Sequence, residues 1–226
     1  MVNSSHSNKE MKIYSALYKD GAHLSEFGEV ETVYHPSHLE TQNSILILHG
    51  GADISPSIYK HRPSKWTQAE EQMSPRDLSE VLLAERAIEL GIPIFGICRG
   101  AQLACALAGG SLIQHVNGHG GGHHGVVTSD GKTYETSTCH HQMMNPWETK
   151  HELLAWSSPA KSNIYIVEHE ELIDMEKEPE VVFFPEIKAL AIQGHPEWMQ
   201  KSTDFVQYCL TLVKEKLLCS SMKSIH

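Results

Sequence analysis

Apolar residues fall in short blocks separated by polar and glycine-rich stretches. Ser44-Ile-Leu-Ile-Leu-His49 and Ile92-Pro-Ile-Phe-Gly-Ile97 are apolar runs of strand length, the pattern of strands covered on both faces. Shorter strand-like pieces occupy residues 12–17, 30–34, 125–128, 153–156, 163–167, 181–184 and 189–193. Ser74-Pro75 with Asp77 carries helix-start chemistry: a capping hydroxyl, a proline in the first turn and a carboxylate near the helix N-terminus. Leu78, Val81, Leu82 and Ile88 are the apolar face this spacing predicts, and Gly91 ends the helix. A second helix follows Cys98-Arg99-Gly100 and stops at Gly109-Gly110. A third sets Phe205, Val206, Cys209, Leu210, Val213 and Leu217 at helical spacing, a face suited to packing on a sheet.

Strands that alternate with helices in the first half predict an α/β fold with a mostly parallel sheet and helices on both faces. The strand-rich second half predicts a small antiparallel addition. No repeat or linker divides residues 1–226, so a single domain is expected, with residues 1–10 and 220–226 as frayed tails. Eighteen basic against 28 acidic side chains give a net charge of −10, which disfavours nucleic acid or an anionic membrane as partner. Five cysteines, odd in number and without C-x-x-C spacing, fit neither a disulfide scaffold nor a zinc ribbon, and a reducing cytoplasm is the expected location. The polar leader lacks the apolar run of a signal peptide, and no membrane association is expected.

The sharpest chemical feature is Gly96-Ile-Cys98-Arg-Gly100, a G-x-C-x-G between an apolar strand and a helix. A nucleophile on so tight a turn sits in a strained backbone, and flanking glycines let strand and helix close together. A helix N-terminus beneath Cys98 favours thiolate, and the Arg99 backbone N–H points where an oxyanion would form. A lone cysteine after a strand is more often a packing residue, but the two glycines tip the reading to catalysis. A thiolate nucleophile needs a base, and the base an orienter. His195 and Glu197, two residues apart on extended backbone, point the same way and complete a Cys98-His195-Glu197 triad candidate.

Together, Gly96-Ile-Cys-Arg-Gly-Ala-Gln102 and Gly194-His-Pro-Glu197 resemble the class I glutamine amidotransferase family, from Ser44 to the C-terminal helix. Gly50-Gly51-Ala-Asp-Ile-Ser-Pro56, Arg76-Asp77-x-x-Glu80 and His140-His141-Gln142 are most similar to its γ-glutamyl-γ-aminobutyrate hydrolase branch. The resemblance implies a flavodoxin-like sheet and a second oxyanion N–H at Gly51, with Gly50 beside it. It implies a glutamyl pocket formed with Gln102, Thr138, Cys139, His140 and His141. Here Ser137-Thr138-Cys139 stands where that branch carries Asn, Ser and an aromatic residue, and His49 where a proline precedes the glycines.

The implied chemistry is hydrolysis of a γ-glutamyl amide, on a small-molecule substrate such as a conjugate of a small amine, on a γ-glutamyl peptide or on glutamine, through a thioester on Cys98 without cofactor or metal. An ammonia-donating subunit paired with a synthetase or ligase chain is the rival reading, and a non-catalytic sensor on the same fold is another. A homodimer stays open. His115, His119, His123, His124, His140 and His141 crowd one region and invite a metal. With a triple glycine among them and no carboxylate at ligand spacing, the segment reads instead as a mobile loop beside the pocket. Trp198 is expected to border the site, and Cys139 to be the other thiol near it.

Overall fold

Side chains along the apolar runs alternate between two faces of one sheet: Tyr14, Leu46, Leu48 and Ile94 enter one buried cluster, while Ile13, Ile45, Ile47 and Phe95 enter another. Each strand therefore needs cover on both sides, which accounts for its lack of polar alternation. The computed structural model of this chain describes residues 11–219 except 19, 41–42 and 173–174. The expected frayed tails lie outside the described residues.

Among the described residues a nine-stranded sheet runs, from one edge, β2 (Glu29–Val33), β1 (Lys12–Ala16), β3 (Ser44–Leu48), β4 (Ile94–Ile97), β14 (Ala189–Ile192), β13 (Pro179–Phe184), β10 (Glu152–Ser157), β7 (His123–Thr128) and β8 (Thr133–Ser137). The pairings from β2 through β14 are parallel. Those from β14 to β8 are antiparallel. The α/β fold is as expected, and the antiparallel part is an extension of four strands in the same sheet, not a separate small piece. Its hairpins return within a few residues and hydrogen-bond to their neighbours directly. Two short ribbons flank it: β5 (Ser111–Ile113) with β9 (Met143–Asn145), and β6 (His115–Val116) with β11 (Tyr165–Val167) and β12 (Glu170–Leu172).

Helices α1 (Pro75–Leu90) and α2 (Arg99–Leu107) cover one face, and α3 (Asp204–Leu212) with the turn that continues it covers the other. The predicted start of α1 is present: Ser74 and Asp77 form a reciprocal capping box, Pro75 opens the helix, and Gly91 closes it at φ 70°. Its inward face is a correction. Leu78 and Leu82 are exposed, and the buried positions are Asp77, Glu80, Leu83, Ala84 and Ala87. The two carboxylates turn inward because Arg99 lies buried beneath them, and a charge that leaves water must be paired. The α3 face is as expected, with Phe205, Val206, Cys209, Leu210, Val213 and Leu217 all buried.

Strand β3, strand β4 and helix α2 cross in close backbone contact. A Cβ on Gly96 would sit 2.5 Å from the Gly100 carbonyl oxygen, and one on Gly100 would overlap the Leu48 carbonyl. Backbone cannot yield as a side-chain tip can. Gly100→Ala is therefore expected to cost about 1–3 kcal/mol, a Tm lower by about 2–12 °C, measured by thermal unfolding. Gly120→Ala, where a Cβ meets nothing within 4 Å, should stay within about 0.5 kcal/mol of the parent.

Candidate active site

Cys98 occupies the turn between β4 and α2 at φ 48°, ψ −106°, a conformation that L-residues avoid and that the packed strand and helix enforce. Its thiol opens on a cavity of about 610 Å³ at the carboxyl ends of β3, β4 and β14, the edge where reactive groups gather in such sheets. His195 follows β14, and its Nδ1 lies 2.7 Å from Glu197 Oε1. Because a carboxylate only accepts, Nδ1 carries the proton and Nε2 keeps its lone pair, with no protein partner among the described residues. A Cβ on Gly50 would stand 2.9 Å from His195 Cε1 and 3.7 Å from Cys98 Cβ, so the imidazole and the cysteine meet over this glycine.

Three contacts hold the imidazole in place. Glu197 takes Nδ1–H, Trp198 stacks on the ring at 3.6 Å between centroids and 2° between planes, and the Ser137 hydroxyl donates to the His195 carbonyl at 2.8 Å. Trp198 borders the site as expected. The Ser137 clamp has no sequence signature, since its partner lies 58 residues away.

Gly50 and Gly51 line the cavity together with Cys98. Gly51 has φ 149°, and a Cβ there would overlap the Arg76 guanidinium. Arg76 donates to the carbonyls of His49, at 3.2 Å, and Gly50, at 2.9 Å, which fixes the direction of this segment. Arg99 contributes its backbone N–H beside Cys98, while its buried side chain pairs with Asp77 and Glu80 away from the cavity. His49 is buried, its Nε2 2.7 Å from Ser15 Oγ, and burial lowers its pKa to about 4.

Of the five residues that the resemblance assigns to a glutamyl pocket, Cys139 lines the cavity. The other four face elsewhere. Gln102 donates its amide to the Gln142 carbonyl, Thr138 its hydroxyl to the His119 carbonyl, His140 is buried against His119, and His141 pairs with Asp53 at 3.0 Å. Tyr18 and Asp20 line the cavity, and the sequence offered no sign of either.

Burial dominates the electrostatics of the thiol. It pushes the Cys98 pKa up to about 12, and the hydrogen bond from the Arg99 backbone N–H offsets this only in part. The helix N-terminus does not make Cys98 a resting thiolate.

The family model described as Peptidase C26 matches residues 34–159, more than half of the 226, and the chain belongs to that family. Cys98 falls inside the matched stretch, and His195 and Glu197 beyond it. Protein NtpR of Enterococcus hirae is 46% identical over 69 residues, which cover 30% of this chain and 28% of NtpR. A Mycobacterium tuberculosis protein named "Putative glutamine amidotransferase Rv2859c" is 37% identical over 79 residues, 34% of this chain and 25% of that one. The matched region thus spans about a quarter of each relative's length. The solved structure of a glutamine amidotransferase from Thermotoga maritima superposes with a TM-score of 0.55 at 16% identity, over 94% of this chain and 90% of that one, which shows a shared fold. Among the described residues no helix is long and apolar enough to cross a membrane.

A thiol of pKa about 12 is a thiol at neutral pH, and its thiolate fraction grows tenfold with each pH unit until that value is reached. In a Cys139→Ser background, iodoacetamide labelling of Cys98 should climb about tenfold per unit between pH 7 and pH 10, followed by peptide mass spectrometry. A plateau beginning near pH 7 would mean a resting thiolate–imidazolium pair.

Proposed function

We propose that this protein hydrolyses γ-glutamyl amide bonds, on conjugates of small amines or peptides, with Cys98, His195 and Glu197 as its catalytic residues. The observation that carries the reading is a strained cysteine sharing a cavity wall with an imidazole whose Nδ1 is held by a carboxylate at 2.7 Å. A packing cysteine needs neither the strain nor the partner.

Cys98 starts as a thiol. His195 Nε2 takes its proton as sulfur attacks the γ-carbonyl, and the oxyanion that forms is held by the backbone N–H groups of Gly51 and Arg99. The imidazolium then gives the proton to the departing amine, leaving a glutamyl thioester. A water molecule, deprotonated by the same nitrogen, hydrolyses the thioester and restores the thiol. Glu197 keeps His195 in the tautomer that can accept. Asp20 supplies the cavity with a carboxylate that suits the ammonium of a glutamyl group.

Glutamate release from a panel of γ-glutamyl amines, γ-glutamyl peptides and glutamine tests the reading. The expected result is turnover of at least one conjugate well above glutamine, loss of all turnover in Cys98→Ala, and a kcat lower by about 10²–10⁴-fold in Glu197→Gln. Release from glutamine alone, or labelling of Cys98 by a glutamine-like electrophile without turnover, would favour an ammonia-donating subunit that works with a synthetase chain. Neither turnover nor labelling would leave a binding protein on this fold.

A further inference from the structure

The histidine-rich region does not act as one loop. His115 stacks on Trp66, His141 pairs with Asp53, and His123 is exposed. His119, His124 and His140 turn inward and meet two glutamates, Glu178 and Glu180, supplied by the start of β13. Both carboxylates are fully buried, and among the described residues no lysine or arginine side chain pairs with either. A buried double negative charge needs a cation.

Hydrogen bonds fix which atoms are left over. His119 Nε2 faces Glu178 Oε2 at 3.2 Å, so its proton belongs on Nε2 and its lone pair on Nδ1. The Thr138 hydroxyl, 3.3 Å from that Nδ1, has its single proton on the His119 carbonyl at 3.0 Å. His140 Nδ1 donates to the Gln142 carbonyl at 2.9 Å, and its Nε2 is buried without a partner. Glu180 accepts from His124 at Oε1, 2.8 Å away, and its Oε2 is buried without a partner. One ligand atom from each of His119, His140 and Glu180 lies within 4.8 Å of the other two.

We propose that His119, His140 and Glu180 form a buried divalent-cation site of zinc type, separate from the Cys98 cavity. Each ligand has the outer partner such sites use. Glu178 and the Gln142 carbonyl take the far N–H of the two imidazoles, and His124 donates to the ligating carboxylate. Glu178 is itself anchored by His119, the backbone N–H groups of Lys161 and Ser162, and the Tyr165 hydroxyl. With two neutral imidazoles, a divalent ion and the carboxylates of Glu180 and Glu178 sum to zero charge. Ligands about 2 Å from zinc stand about 3.3 Å apart at a tetrahedral angle, so atoms within 4.8 Å of one another need to close by up to about 1.5 Å to complete the set. The ion would join the segment after β6, the segment after β8 and strand β13. Glu180 O accepts from Gln193 N at 2.8 Å, two residues before His195, so the site lies behind the wall that carries the imidazole.

Chelator-treated full-length protein is titrated with zinc chloride, and with cobalt chloride as the spectroscopic probe. The expected result is one tightly held equivalent, with visible cobalt bands of a low-coordinate nitrogen and oxygen site and no thiolate charge-transfer band. Glu180→Gln should weaken zinc binding by more than about 100-fold and Glu178→Gln by about 10–100-fold. His123→Ala, on the exposed imidazole, should keep the full equivalent. No bound equivalent in the wild type, or unchanged affinity in folded Glu180→Gln, would overturn the site in favour of a metal-free cluster held by hydrogen bonds alone. A thiolate band would also overturn it, by moving the ion to Cys98 or Cys139. The wild-type cobalt spectrum decides even where a variant fails to fold.

Discussion

Two arginines share one buried carboxylate, and the candidate site depends on that arrangement. Glu80 has no exposed surface; it accepts from Arg76 Nε at 3.0 Å and from Arg99. Arg99 also reaches Asp77, the residue that caps α1 with Ser74. Arg99 is the first residue of α2 and Arg76 holds the carbonyls of His49 and Gly50. The cluster therefore locks the cysteine turn, the glycine pair beside it and the start of α1 into one geometry. Loss of one partner would leave an uncompensated charge where water cannot reach, a penalty of about 3–5 kcal/mol, so the arrangement tolerates little drift.

Cys98 can be both strained and buried for a reason that lies in the backbone around it. Its turn is set by backbone packing at Gly96 and Gly100, not by its side chain, so the sulfur is free of structural duty. Burial then keeps it protonated, so the nucleophilic role proposed for it requires a base with a free lone pair. His195 Nε2 is such a group, held by contacts on an edge, a face and the backbone.

Much of this was legible along the chain because the physics is local. The G-x-C-x-G turn, the Ser74 cap, the H-x-E pair and the α3 face each depend on residues within a few positions of one another. What escaped depends on distant partners. Apolar periodicity put Leu78 and Leu82 inside α1, but the helix buries Asp77 and Glu80 because Arg99, about twenty positions on, needs them. The histidine cluster looked short of carboxylates for the same reason: Glu178 and Glu180 arrive from nearly sixty positions away. Family motifs carried Gln102, Thr138, His140 and His141 toward a substrate pocket, yet hydrogen bonds within this chain turn them to its framework.

The indole of Trp198, 63% exposed, lies flat on an imidazole that is almost fully buried. An aromatic face attracts positive charge, by about 0.5–2 kcal/mol for a cation stacked on it. The stack is therefore weakest while His195 is neutral and strongest at the moment it holds a proton. One side chain thus serves as solvent shield and as a charge-sensitive cushion for the ring beneath it.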